Sequence, residues 1–257
     1  MPFFSQAIAA SPSTLLASIP ELVSYRVWDN LDLDGDGTPE WDDRSSSGEG
    51  SDSNPFRVGL PEYSAGDYCV ICLINSDTLS DYSMTATPSG WTRITPANSN
   101  YGDATSDAEF GMWGKLMDGT EGRSISMGSQ TASFFAKQVG ATFTLSNIND
   151  TDPVDALGNT ITGTSSSFTI PSVSSTEGGL LFTFVAFDGS DGDPFNLSNS
   201  GNVTYDYEVD FDTDNTGQTG TSGAIKIASI NPSTNTGSVS ISNSSSDGFL
   251  AGHVILK

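Results

Sequence analysis

The sequence predicts an all-β protein, an antiparallel β-sandwich of the jelly-roll type, and three observations lead to that prediction. Helix signals are nearly absent, because only residues 12–22 carry a partial apolar stripe and a proline interrupts it. From residue 55 onward, β-branched and aromatic runs alternate with Gly, Asn, Asp, Ser and Pro, the composition of strands and turns. An internal repeat, finally, divides the predicted sandwich into two related halves.

Twelve runs have the length and composition of strands, with turn residues between them. Many short strands joined by turns are typical of an antiparallel sandwich. The runs cover residues 56–60, 68–74, 90–94, 109–117, 124–127, 141–145, 167–170, 180–187, 203–211, 223–230, 238–242 and 249–256.

The repeat consists of three pairs of similar segments that follow one another in the same order. The pairs are 56–77 with 168–189, 109–129 with 223–244, and 134–145 with 249–257. Each half alone would bury half a core and leave sheet edges unpaired. We therefore expect one sandwich over residues 55–257, with the repeat in 56–148 and 168–257 and a linker between. Residues 1–54 are predicted to form an irregular N-terminal arm.

Charge and composition exclude several classes of function. The chain of 257 residues has 9 Lys and Arg against 32 Asp and Glu, and a formal net charge of -23. Because a basic surface is missing, we expect no binding to nucleic acid phosphates. A single His argues against His-rich metal sites, and no apolar run has the length of a membrane span. The first residues lack the features of a secretory signal, so we expect synthesis in a cytoplasm.

Cys69 and Cys72 form a C-x-x-C pattern, which in other contexts indicates redox or zinc chemistry. They lie in an apolar β-like run, where residues three apart point to opposite faces of a sheet. A zinc site would also need a second pair of ligands. We interpret the two cysteines as buried structural thiols.

Residues 32–43 read DLDGDGTPEWDD and have the alternation of a calcium-binding loop. Asp32, Asp34 and Asp36 occupy loop positions one, three and five, a glycine follows at six, and Asp43 stands at twelve. This residue pattern resembles the calcium loops of thrombospondin type-3 repeats. That resemblance implies Ca²⁺ held by the four carboxylates and the Thr38 carbonyl. A solvated acidic turn in a flexible linker is the alternative.

Residues 203–212 alternate apolar side chains with Thr and acidic ones. Because strand side chains alternate between faces, four carboxylates are expected on one face and the apolar set on the other. We interpret this segment as a half-buried strand with a solvated acidic face. A ladder that holds cations or repels a partner is the alternative.

The inventory of catalytic groups is small. His253 is the only histidine and lies in a strand-like run, and no G-x-S-x-G elbow accompanies it. We expect a structural histidine and a protein that is not an enzyme. Composition leaves open a pair of carboxylates for glycoside hydrolysis, the weakest of our hypotheses.

The four tryptophans divide into two groups. Trp91 and Trp113 lie in strand-like runs and are predicted to belong to the core. Trp28 and Trp41 flank the acidic loop, and we predict that they contact a neighbouring subunit.

Several short motifs, taken in order, resemble one family of proteins. They are a Pro, turn, Ala-Gly-Asp and apolar strand in 61–74, Pro-Ser-Gly-Trp-Thr in 88–92, Asp-Gly-Thr-Glu-Gly in 118–122, Asp-Pro-Val-Asp-Ala in 152–156 and an apolar-Pro-Ser-Val in 170–173. This order resembles β-sandwich virion surface or appendage proteins of tailed phages, of the marine and cyanobacterial type.

The resemblance implies a non-enzymatic structural protein displayed on the exterior of a virion, made in the host cytoplasm. The protein would decorate the capsid, form a knob or belong to the tail, and attach through its N-terminal arm. Its partners would be other virion proteins and further copies of itself, with no membrane partner. The alternative is a carbohydrate-binding module or receptor-binding head that recognises a surface glycan.

Overall fold

The computed structural model describes residues 19–27, 57–76, 87–96, 108–127, 137–188, 196–197, 202–212, 221–242 and 248–257. All the regular secondary structure in these ranges is β, which confirms the predicted fold class. Across the described ranges, no helix long and apolar enough for a bilayer is found.

Sixteen strands follow one another along the described residues. They are β1 (Glu21–Val27), β2 (Arg57–Gly59), β3 (Tyr68–Ser76), β4 (Thr92–Arg93), β5 (Ala108–Leu116), β6 (Ser124–Ser126), β7 (Lys137–Ser146), β8 (Val154–Leu157), β9 (Ile161–Thr164), β10 (Ser167–Ile170), β11 (Gly179–Asp188), β12 (Asn196–Leu197), β13 (Tyr207–Asp212), β14 (Thr221–Ile230), β15 (Val239–Ser242) and β16 (Gly248–Leu256).

Two large antiparallel sheets form the centre of the molecule. Sheet 1 has the order β1-β7-β3-β5-β4, and sheet 2 has the order β8-β16-β11-β14-β13, with β9 pairing further along β16. The strands that the predicted repeat aligns occupy corresponding places: β3 and β11 are central, with β7 and β5, or β16 and β14, beside them. A common origin of the two halves and a jelly-roll connection stay predictions.

The main hydrophobic core lies between the two large sheets. Alternate residues of β3, among them Val70 and Cys72, meet alternate residues of β11, among them Phe182 and Phe184. The rings of Phe110 and Phe184 stack across this core, with centroids 3.8 Å apart and an interplanar angle of 5°. Apolar contact across the sheets is what holds them together.

The outer faces of the large sheets are covered as well. The β2–β6 pair covers sheet 1, over a cluster that contains Cys69, Trp91 and Trp113. The three-stranded sheet β10-β15-β12 covers sheet 2. Cys69 and Cys72 are free, buried and on opposite faces of β3, as predicted. Burial raises the pKa of the Cys69 thiol to about 11, so both residues act as apolar side chains.

Part of the predicted N-terminal arm is not irregular. Residues 21–27 form β1, an edge strand that runs antiparallel to β7, with Glu21 opposite Ser146 and Val27 opposite Ala141. The apolar side chains of Leu22 and Val27 pack against the central core, which explains why this segment joins the sheet. The predicted linker between the halves likewise contains β8 and β9, both paired to β16.

A β-bulge at Val23 determines which way the side chains of β1 point. The register shifts between Leu22 and Ser24, so that Tyr25 comes to lie opposite Phe143, on the face of the central core. Arg26 lies opposite Thr142, on the outer face of sheet 1. The extra residue exchanges the two faces of the strand downstream of it.

Gly111 leaves the space that the buried Trp113 indole occupies. A Cβ at position 111 would stand 2.2 Å from the indole carbon Cη2 of Trp113. We predict that Gly111→Ala lowers the free energy of unfolding by more than about 2 kcal/mol, because a close-packed core cannot absorb the overlap. Urea unfolding followed by tryptophan fluorescence measures the change.

Gly122→Ala is the matched control for this substitution. A Cβ there would meet only a backbone oxygen at 3.8 Å, so we expect a change within about 0.5 kcal/mol. Equal stability of the two variants would contradict the packing argument.

Candidate functional site

The residues predicted to bind calcium or a partner lie outside the described ranges. These are Asp32, Asp34, Asp36, Thr38 and Asp43 for calcium, and Trp28 and Trp41 for the partner contact. Among the residues that the structure does describe, no group of three or more His, Cys, Asp or Glu side chains is placed to hold a metal ion.

A row of three polar side chains crosses the outer face of sheet 2. Thr183 of β11 lies between Lys226 of β14 and His253 of β16. The corresponding place in sheet 1 is taken by Ile71, between Trp113 and Thr142. Polar groups thus lie in sheet 2 at the place where sheet 1 has an isoleucine and an indole.

Hydrogen bonds tie this polar row to the chain before β13. The Thr183 hydroxyl lies 2.8 Å from His253 Nδ1 and 2.8 Å from the Tyr205 hydroxyl. Lys226 Nζ lies 5.8 Å from the centre of the Tyr205 ring and 2.9 Å from Glu208. Thr183 and His253 are wholly buried, which agrees with the structural role predicted for the histidine.

The apolar set of residues 203–212 does not stay on one face, contrary to the sequence pattern. Val203 and Tyr205 pack on the outer face of sheet 2, whereas Val209 belongs to the central core. The chain bends at Asp206, whose carboxylate accepts a hydrogen bond from the Ser229 amide at 3.1 Å. Glu208 and Asp210 are exposed, as predicted.

A cleft of about 490 Å³ opens where β1 passes the β2–β6 layer. We call it the arginine cleft; its polar lining consists of Arg26, Glu62, Tyr63, Ser64, Glu121 and Arg123. The bulge in β1 turns Arg26 toward this side, and the turn that precedes β6 supplies Arg123. A strand and a turn that are distant in sequence therefore bring two guanidinium groups to one cleft.

Glu121 is held in place by a cation and by the backbone. Its carboxylate lies 2.7 Å from Lys115 Nζ and accepts hydrogen bonds from the amides of Asp118 and Gly119 at 3.3 and 3.1 Å. Partial burial alone would raise the pKa of Glu121, but the hydrogen bonds from Lys115 and the backbone hold it below its ordinary value. The Glu121 carboxylate is thus ionised at pH 7, and the Lys115 ammonium group balances its negative charge.

The walls of the arginine cleft are fixed by further hydrogen bonds. The Tyr63 hydroxyl donates to the Glu121 carbonyl, and Ser24 donates to the Glu62 carbonyl at 2.7 Å. Asp118 accepts hydrogen bonds from the amide and the hydroxyl of Thr120, which close the turn. The cleft therefore exists before a ligand binds.

A second cleft, of about 700 Å³, lies at one end of the sandwich, where the described chain begins. We call it the end groove; its apolar lining consists of Ile19, Pro20, Ile148, Ile230 and Pro232. Lys257 at its border pairs with Asp152 at 2.9 Å and with Glu177 at 2.7 Å. The hydrogen bonds to Glu177 and Asp152 raise the pKa of Lys257.

Sequence reasoning missed both clefts. Arg26 lies in the segment predicted to be irregular, and residues 118–122 were noted only for their likeness to a family. The available signal was the scarcity of bases: with nine Lys and Arg in 257 residues, each one is a candidate for a specific role.

A scan against protein-family models and searches of curated proteins and of solved structures gave no match. The resemblance to phage proteins stays a prediction that rests on the motifs in the sequence.

Burial of His253 predicts a loss of stability in acid. Burial lowers the pKa of this imidazole from 6.5 to about 4. Above pH 6.5 the group is neutral in both the folded and the unfolded chain, and its contribution is complete. As the pH falls from 6.5 toward 4, only the unfolded chain takes up the proton, so about 3 kcal/mol of stability is lost.

The chain has one histidine, so the imidazole signals in a proton–carbon NMR spectrum belong to it. We expect a titration midpoint near 4 in the folded protein, or unfolding before it is reached. A midpoint near 6.5 in the folded protein would contradict the burial of this group.

Proposed function

We propose that this chain is a non-enzymatic structural protein of a bacteriophage virion, displayed on the exterior of the particle and attached through its N-terminal segment. The observation that carries the proposal is the pairing of β1 with β7. The N-terminal segment leads directly into an edge strand of sheet 1, where backbone hydrogen bonds hold it along its length. Mechanical force on that segment would then be resisted by the β1–β7 backbone hydrogen bonds and by the hydrophobic core against which β1 packs.

The layered architecture supports a role in display. Each large sheet has both faces covered, one by the other large sheet and one by a smaller layer. The molecule therefore buries its apolar surface without a partner over these faces. A net charge of -23 favours solubility and disfavours contact with the genome.

Two neighbouring sheet edges support self-association. β13 packs over β7, the neighbour of β1, so β1 and β13 border the same side of the sandwich. Val23, Tyr25 and Tyr207 on these strands are 54%, 48% and 45% exposed. Among the described strands, β1 and β13 are sheet edges with exposed apolar side chains, which are suited to pairing with a second copy, and we expect a homo-oligomer.

The protein composition of purified phage particles tests the proposal. We expect the chain in purified particles of the phage that encodes it, by mass spectrometry and by immunogold labelling of their surface. A chain without residues 1–18 keeps β1, so it should fold as before but be missing from the particles. The control replaces residues 2–18 by a Gly/Ser segment of equal length and should also be missing.

Absence of the full-length chain from particles, in both measurements, would overturn the placement on the virion. Normal incorporation of the shortened chain would overturn attachment through residues 1–18, the part of the N-terminal segment that precedes β1.

Calcium binding by residues 32–43 belongs to the same proposal. If the loop is empty in chelator and nearly saturated in calcium, the bound ion should raise the melting temperature by about 5 °C. Differential scanning calorimetry in 5 mM calcium chloride and in EDTA measures this shift. Asp34→Asn with Asp36→Asn should abolish it. A shift below about 1 °C in the parent chain would contradict structural calcium.

A further inference from the structure

The arginine cleft brings two cationic side chains together in a strongly acidic protein. Arg26 is half-buried and Arg123 is exposed, and both line the same cavity. The ion pairs of the described residues involve Lys115, Lys226 and Lys257, and neither of these two guanidinium groups. As far as the described residues go, each group therefore has its hydrogen-bonding edge available to a ligand.

We propose that the arginine cleft binds an acidic saccharide through its carboxylate, the ligand being a uronic acid unit of a surface polysaccharide. A guanidinium group is planar and presents paired N–H donors that match a carboxylate. Two such groups on one cleft hold the carboxylate from two directions. The volume of about 490 Å³ falls within the range of small-ligand sites, roughly 300 to 1,000 Å³.

The exposed carboxylate of the cleft decides between classes of anion. Glu62 is exposed and lines the cleft, whereas the Glu121 carboxylate is only 7% exposed and is paired with Lys115. The Glu62 carboxylate can accept hydrogen bonds from hydroxyl groups and repels phosphates. A lining of two guanidinium groups and one exposed carboxylate thus suits a ligand with one negative charge on each sugar unit and many hydroxyls, and it disfavours nucleic acid and polyphosphate.

Tyr63 and Ser64 complete the complement to a sugar. The Tyr63 hydroxyl is bound to the Glu121 carbonyl, which fixes the orientation of the ring in the wall. Ser64 lines the same cleft, and its amide donates to Asp67 at 2.7 Å, which fixes the turn. Aromatic and hydroxyl groups on a fixed wall suit a rigid, polyhydroxylated ring.

Isothermal titration calorimetry of the full-length chain tests this inference. The probes are digalacturonate, the neutral disaccharide lactose and inorganic phosphate, each at 0.15 M and 0.5 M sodium chloride. We expect binding of digalacturonate alone, and only about twofold weaker at high salt because the hydrogen bonds are local. Arg26→Gln and Arg123→Gln should each weaken it about tenfold.

Lys257→Gln is the matched control, because it removes one positive charge at the end groove and should leave the affinity unchanged. Circular dichroism melts verify that each variant is folded. If lactose bound as tightly as digalacturonate, the role of the carboxylate would be wrong. If phosphate bound as tightly, the assignment of a saccharide as the ligand would be wrong. Absence of binding, or equal loss in the control, would overturn the site.

The calorimetry tests saccharide binding on the purified chain, whereas the composition of particles tests the placement on a virion. Each can fail while the other holds.

Discussion

Burial of both faces of the central strands is the constraint on which the rest of the structure depends. β3 and β11 each have apolar side chains on two sides, and no single sheet can cover both. The protein meets this need with four layers: a small sheet, two large sheets and a second small sheet. The long apolar runs of the sequence exist because these strands have no solvated face.

The two outer interfaces are filled differently, although the three central strands of the two large sheets are arranged alike. Sheet 1 carries an indole and an isoleucine where sheet 2 carries a lysine and a threonine. Arg93 lies over the Trp113 ring at 5.1 Å, whereas Lys226 lies near the ring of Tyr205. Cations close to aromatic faces occur on both large sheets, but different chain segments supply them.

The fold was largely predictable, because apolar runs and alternating patterns bounded by Gly, Pro, Asn, Asp and Ser identify strands that are buried or half-buried. Cys69 and Cys72 were placed on opposite faces by counting residues alone. β1 was missed because its pattern is broken by the bulge at Val23, so that strict alternation fails within seven residues. The bend at Asp206 misled the assignment of faces for the same reason: one local irregularity reverses every side chain after it.

The candidate site was not predictable from local pattern. Arg26 and Arg123 line one cleft only because β1 lies beside β7 while the turn before β6 passes the same side, and such tertiary proximity has no signature in either segment.

The irregularity at Val23 makes loss and gain of a residue unequal at this position. Leu22 and Ser24 already lie opposite the consecutive residues Leu145 and Thr144, so a chain without Val23 would form a regular strand with the same side-chain directions. Gain of one residue beside the bulge would instead shift the alternation, pointing the Arg26 guanidinium at Phe143 and the phenol of Tyr25 at the cleft. In related sequences, deletions should therefore be more common here than insertions.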